Sequence, residues 1–186
     1  VFGVRPEDVT PLMRSHAKAV NFGIVYGISE FSLAEDIGVS RREAKDYIDA
    51  YLENFSGVRA YMHDIVAQAK RDGYVTTLFG RRRMLPELKS SNYNIRSFGE
   101  RVALNMPIQG TAADIIKLAM IRVDAALRKK KLRAKLILQV HDELIVECPI
   151  DERETVMEIV KYEMEHVMAL HVPLLAEAKS GASWYE

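Results

Sequence analysis

Cysteine is almost missing from this sequence. Cys148 stands alone, so no internal disulfide can form and no cysteine zinc cluster can be built. Histidine does not make up the deficit, because the five histidines are scattered without ligand spacing. No apolar run reaches the roughly 18 residues that a membrane helix requires, and no apolar leader follows a charged start, so nothing points to a membrane or to secretion. A reducing, cytoplasmic setting is the expectation. Net charge is missing as well: 26 Lys/Arg balance 26 Asp/Glu, which taken whole gives no support to nucleic-acid binding.

That balance conceals a polarity. Residues 1–141 hold 23 Lys/Arg against 15 Asp/Glu, whereas 142–186 hold 3 against 11. A basic front can grip phosphates while an acidic end binds cations or faces solvent; an accident of surface charge is the alternative. With 48% hydrophobic residues, the 186-residue chain can bury a core as one domain or as two small subdomains. Val1 is not an initiator methionine, and residues 1–9 read as the continuation of something that began earlier, as in an excised fragment.

The chain is organised around Arg14-Ser15-His16-Ala17-Lys18-Ala19-Val20-Asn21-Phe22-Gly23-Ile24-Val25-Tyr26-Gly27. As a helix, this stretch sets Arg14, Lys18, Phe22 and Tyr26 four residues apart along one face. At about 1.5 Å per residue the row is roughly 18 Å long, comparable to an extended nucleoside triphosphate. It carries cations for phosphates at one end and rings for a base at the other. An amphipathic helix with core aromatics and solvated cations is the plainer reading. Gly23 and Gly27 each cost a helix interior about 1 kcal/mol, which a close approach of another group or a break after the last turn would explain.

Thr10 and Pro11 predict the start of that helix. Ser29 and Gly38 bracket a short one, Ser40 and Glu43 form a capping box, and Ala44, Tyr47, Ile48, Tyr51, Leu52 and Phe55 repeat with the spacing of a core-facing helix. Val58, Tyr61, Ile65 and Ala69 mark another, ended by Gly73. Residues 74–86 read as a short β-ribbon around a glycine turn, with Arg81, Arg82 and Arg83 either solvated or touching phosphates. The polar stretch 89–97 suggests a subdomain boundary.

Beyond it Arg101, Asn105 and Gln109 again step by four, although Pro107 is expected to bend or interrupt the helix. Thr111 and Asp114 would open the next helix, which buries Leu118, Ala119, Val123 and Leu127 and ends in a basic run, 128–133. The polar row suits a duplex minor groove, where every base pair offers an acceptor at purine N3 or pyrimidine O2 and donors can test pair shape without reading sequence. Bonding among the helix residues themselves is the alternative. Residues 135–149 place β-rich arms on either side of His141-Asp142-Glu143, predicting a hairpin with the carboxylates at its tip, although exposed carboxylates at turns are ordinary. Asp151 and Glu154 would cap a final helix, and residues 172–178 read as a last strand. Helices before strands give an α+β class: a mostly helical portion, then a small antiparallel sheet, made of the hairpin and the C-terminal strand, packed on helices.

These motifs together resemble family A DNA polymerases, the bacterial polymerase I family. The resemblance rests on Arg14, Lys18, Phe22 and Tyr26-Gly27, on the Gly80-Arg81-Arg82 segment with its Leu85-Pro86, on Glu100-Arg101, Asn105 and Gln109-Gly110-Thr111-Ala112-Ala113-Asp114, on Gln139-Val140-His141-Asp142-Glu143, and on the ending from Ser180 to Tyr185. It spans essentially the whole chain. It implies residues 1–93 as the fingers, incomplete on the N-terminal side, and 94–186 as the C-terminal part of the palm. The implied partners are primer-template DNA, deoxynucleoside triphosphates and the rest of a parent polymerase active in replication and repair in the bacterial cytoplasm at the nucleoid. The implied roles are nucleotide binding by Arg14, Lys18, Phe22 and Tyr26, DNA contact by Arg101, Asn105, Gln109 and His141, and catalysis by Asp142, Glu143 and Lys18, with Asp142 a ligand of Mg2+ in a two-metal site. The family's other catalytic carboxylate lies in an Asp-Tyr-Ser-type segment upstream of the nucleotide helix, and nothing like it precedes Arg14 here. The 186 residues are therefore expected to be inactive alone. A non-catalytic module that binds nucleic acid or nucleotides is the alternative.

Overall fold

The computed structural model describes residues 4–184; Val1, Phe2 and Gly3, which open the leading segment, and Tyr185 and Glu186, which close the chain, lie outside it. Local cap chemistry sets the first helices. Thr10 accepts the Met13 N–H at 3.2 Å and Pro11 fills the first turn of α1 (Pro11–Val25). Ser29 caps α2 (Glu30–Ile37), which Gly38 ends in the left-handed region, and the capping box of Ser40 and Glu43 opens α3 (Arg41–Asn54). Helix α4 (Ser56–Asp72) stops at Gly73. Val20 and Ile24 of α1 meet Leu33, Ile37 and Ala44 in a core completed by Tyr47, Ile48, Tyr51 and Leu52. Phe55 departs from expectation: it is 52% exposed, leaning on Tyr51 with ring centroids 4.7 Å apart. It occupies the C-cap of α3, where the backbone has left helical geometry and the helical spacing no longer directs a side chain inward.

Strands β1 (Tyr74–Thr76) and β2 (Arg82–Met84) form the expected ribbon, pairing Tyr74 with Met84 and Thr76 with Arg82. Its loop is drawn shut by the buried Thr77, whose hydroxyl accepts the Arg81 N–H at 3.2 Å. The arginines stay exposed, Arg82 lying over the Tyr74 ring at 4.7 Å. After a short turn at Pro86–Lys89, the polar linker shrinks to three residues and α5 (Tyr93–Lys129) begins. Its inner face contributes Ala103, Val102 and Met106 to a second core with Ala69, Val75, Leu85 and Leu88.

Pro107 does not interrupt α5, and Thr111 with Asp114 does not start a new helix; one helix runs for 37 residues with the proline inside. The cost of the missing N–H, about 3 kcal/mol, falls in a turn anchored by buried Ala103 and Leu104, and that packing outweighs it. The chain separates into two compact units, Val1–Ile108 and Gln109–Glu186, dividing within α5 rather than at the polar linker.

In the second unit, Val123 and Leu127 of α5 share a core with Ala134, Val156 and Ile159, covered by Leu144, Val146 and Val160. Strands β3 (Lys135–Val140) and β4 (Glu143–Glu147) make the antiparallel hairpin, with a register irregularity between Leu136 and Leu138. Helix α6 (Arg153–Glu165) is not capped by Asp151 or Glu154. The turn before it is instead committed to Arg133: the Glu152 carboxylate accepts the N–H groups of Arg133 and Ala134 at 2.9 and 3.1 Å, and Asp151 pairs with the Arg133 guanidinium.

The C-terminal strand does not form. Among the described residues the sheet stops at two strands, and residues 172–180 follow no ladder. A strand needs a second backbone as well as a β-like composition. Here the Ala176 N–H, which a ladder would use, is taken by the Glu165 carboxylate at 3.0 Å, while Val172 and Leu175 stay exposed. The α+β class stands with this smaller sheet. Among the described residues no helix is long and apolar enough to cross a membrane.

Candidate nucleotide and nucleic-acid site

The exposed face of α1 is fixed by what the opposite face buries. With Val20 and Ile24 at 1% and 2% exposure, Arg14, Lys18, Phe22 and Tyr26 are all turned to solvent. Phe22 and Tyr26 stack with centroids 6.2 Å apart and planes at 22°, and the Lys18 ammonium sits 6.0 Å from the Phe22 ring centre. Cation and rings thus form a continuous stripe, the cation–π contact adding about 0.5–1 kcal/mol at such an exposed position.

Both glycines of this stretch belong to the way the helix ends. The Ile28 N–H reaches back to the Gly23 carbonyl at 2.8 Å and the Gly27 N–H to the Ile24 carbonyl at 2.9 Å, a Schellman closure that needs Gly27 at φ +77°. Ile28 then folds over Gly23 so closely that a Cβ there would lie 3.0 Å from Ile28 Cγ2. Tyr26 is therefore the helix cap and not its interior, held at the mouth of a rigid turn.

On α5, Arg101 is exposed, bonding Ser97 Oγ at 3.0 Å, and its Cγ would stand 3.4 Å from a Cβ on Gly27. The end of the α1 stripe and the start of the α5 row are thus neighbours. Asn105 keeps its amide oxygen buried with no hydrogen-bond partner among the described residues. Tyr61, which the helical spacing places on the core face, is 37% exposed, and its hydroxyl donates to the Leu104 carbonyl at 3.3 Å, inside the turn that Pro107 disturbs. Burial pushes the Tyr61 phenol up from its ordinary range. A proline within an amphipathic pattern is the signal that could have prompted a search for such a donor.

Gln109, His141, Asp142 and Glu143 lie in the second unit, all exposed. Val140 pairs with Glu143, so His141 and Asp142 alone form the turn and Glu143 is the first residue of β4. His141 takes φ +53°, a left-handed conformation usually left to glycine, and Gln139 Nε2 holds its carbonyl at 2.6 Å. Strain of this kind is characteristic of sites whose geometry matters more than local stability. The exposed carboxylates are hard oxygen donors of the kind Mg2+ takes. Among the described residues no cluster of three or more potential ligands forms around them.

The chain is similar to known proteins along its whole length. The family model for DNA polymerase family A matches residues 1–186. DNA polymerase I of Bacillus subtilis (strain 168) is 58% identical over 186 residues, all of this chain and 21% of the relative. DNA polymerase I of Caldicellulosiruptor bescii is 55% identical over the same length, 22% of that protein. The chain thus spans about one fifth of the curated relatives it matches. Among solved structures, the POL domain of Pol1 from M. smegmatis, in complex with DNA primer-template and dNTP, aligns at a TM-score of 0.89 with 47% identity, covering 93% of this chain and 30% of that one.

Proposed function

The chain belongs to DNA polymerase family A, and from that membership we propose that it supplies the nucleotide helix, the primer-template row and one catalytic carboxylate segment of a template-directed DNA polymerase. Residues 1–93 would serve as fingers and 94–186 as the C-terminal part of the palm. In the reaction a primer 3′-hydroxyl attacks the α-phosphate of a deoxynucleoside triphosphate and pyrophosphate leaves.

Arg14 and Lys18 bind the triphosphate, and Lys18 Nζ offers a proton as charge develops on the leaving pyrophosphate. Phe22 stacks on the incoming nucleotide, and Tyr26 packs where the templating base enters. Arg101, Asn105 and Gln109 contact the minor groove, and His141 lies near the primer terminus. Asp142, with Glu143 beside it, would hold magnesium, which when bound stabilises the attacking and leaving oxygens. A carboxylate from the remaining palm completes that ligand set, so this chain acts within the longer protein.

The observation that carries the reading is the α1 stripe: two cations and two stacked rings held on one exposed face by a buried opposite face and a Schellman end. Steady-state kinetics of the complete polymerase test it. Arg14→Ala should lower kcat/KM for the nucleotide roughly 10- to 100-fold, the range of a charged hydrogen bond, with primer-template affinity unchanged. An unaltered kcat/KM would remove α1 from the nucleotide site.

A further inference from the structure

We propose that Tyr61 is a positioning residue for minor-groove contact: through its hydroxyl it holds the α5 turn from which Arg101 and Asn105 project. The inference rests on the polymerase reading above. Pro107 has no N–H, so the Ala103 carbonyl loses its usual partner four residues on, and the proline ring crowds that carbonyl and tends to open the turn. The turn nevertheless stays helical.

Two contacts converge on Leu104, the next residue. From α4, the Tyr61 hydroxyl donates to the Leu104 carbonyl at 3.3 Å. From the end of α1, the Gly27 backbone meets the Leu104 side chain, whose Cδ1 would lie 2.9 Å from a Cβ there. Leu104 is 7% exposed, so this turn is clamped from the carbonyl side and from the side-chain side. Arg101 lies three residues before Leu104, and Asn105 immediately follows it. Both take their aim from the same turn. A phenol keeps its proton across the physiological range, and desolvation moves Tyr61 further the same way, so the donor is present.

Merely structural stabilisation would lower activity on every template alike. Positioning predicts something narrower, because the benefit of a donor depends on an acceptor being present in the groove. The test uses the complete polymerase, unmutated and as Tyr61→Phe, whose ring fills the same space. Primer-templates carry 3-deazaguanine in place of guanine at single positions near the primer terminus, which removes the minor-groove N3 acceptor and nothing else at that edge.

In the unmutated enzyme, kcat/KM should drop at one or more positions when the acceptor is removed. In Tyr61→Phe, kcat/KM on the natural template should already be lower by about 2- to 10-fold, the span of one neutral hydrogen bond, and the further loss on removing the acceptor should shrink by a similar factor. The nucleotide KM should not move. A penalty of equal size in both enzymes, or an unchanged kcat/KM on the natural template, would overturn the positioning role. Active unmutated enzyme with no penalty at any position would overturn it too, by removing minor-groove contact. Absence of extension by the unmutated enzyme would instead strike at the polymerase reading itself.

Discussion

Gly27 and Leu104 touch closely: a Cβ added at position 27 would come within 2.9 Å of Leu104 Cδ1, so Leu104 would have to shift, on a backbone already at φ +77°. Gly38 has a similar φ of +68° but open space around it. The two sites separate conformational strain from crowding. Gly38→Ala should cost about 1 kcal/mol, whereas Gly27→Ala should cost about 2 kcal/mol or more. Equilibrium denaturation of the two variants compares them directly, and equal losses would show that Leu104 yields freely.

Glu152 provides a pH-dependent tie. The backbone N–H of Arg133, with help from its side chain and from the Ala134 N–H, holds the carboxyl below the usual carboxylate range. A depressed folded value means stability that is fully present above the ordinary value of about 4.3 and is lost as pH falls through the lowered one. Glu152→Gln should therefore be less stable than the parent sequence at neutral pH, with the gap closing as the medium is acidified below about pH 4. Unfolding midpoints measured across pH 3–7 are expected to converge at the acid end; a constant gap would assign the loss to packing.

His141 carries its strain at the hairpin tip. His141→Gly relieves a left-handed conformation that costs about 1 kcal/mol and should leave thermal stability unchanged or slightly higher. Primer extension by the complete enzyme should fall all the same. A gain in stability with full activity would deny His141 a place near the primer.

Phe22 lacks a hydroxyl and stands exposed beside Tyr26. In family A a tyrosine at the matching position accepts chain-terminating nucleotides that phenylalanine rejects, consistent with its hydroxyl replacing an interaction of the missing 3′-hydroxyl. Phe22→Tyr in the complete polymerase should relax discrimination against dideoxynucleotides. Competition between deoxy- and dideoxynucleotide on one template measures this, and an identical ratio for both enzymes would refute the assignment.

What was legible in the sequence follows a physical division. Caps and terminators act within a few residues, so Thr10, Ser29, Gly38, the Ser40–Glu43 box and Gly73 could be read directly and all are realised. The hairpin was legible for the same reason, since two β-rich arms flank a tight turn. Pro107 misled because its cost is local while its remedy is tertiary: the buried Ala103 and the Tyr61 hydroxyl come from packing no short window contains. The C-terminal strand misled in the opposite sense, since residues 172–178 have β composition but meet no second backbone among the described residues. The α1 stripe was legible because its spacing, charge and rings lie within one helix. Tyr61 was not, because a hydroxyl in a helical pattern looks like any half-buried tyrosine.

The most direct measurement is magnesium-dependent primer extension by three purified proteins: the complete polymerase, the complete polymerase carrying Asp142→Ala, and the 186-residue chain alone. Phosphoryl transfer by two metals draws carboxylates from two chain segments, and in the proposed reading Asp142 with Glu143 would supply one of them. Only the unmutated complete protein should extend the primer, with the Asp142→Ala protein still binding primer-template and nucleotide. Template-directed extension by the isolated chain, or undiminished extension by Asp142→Ala, would contradict the assignment of this hairpin as one half of a shared catalytic site.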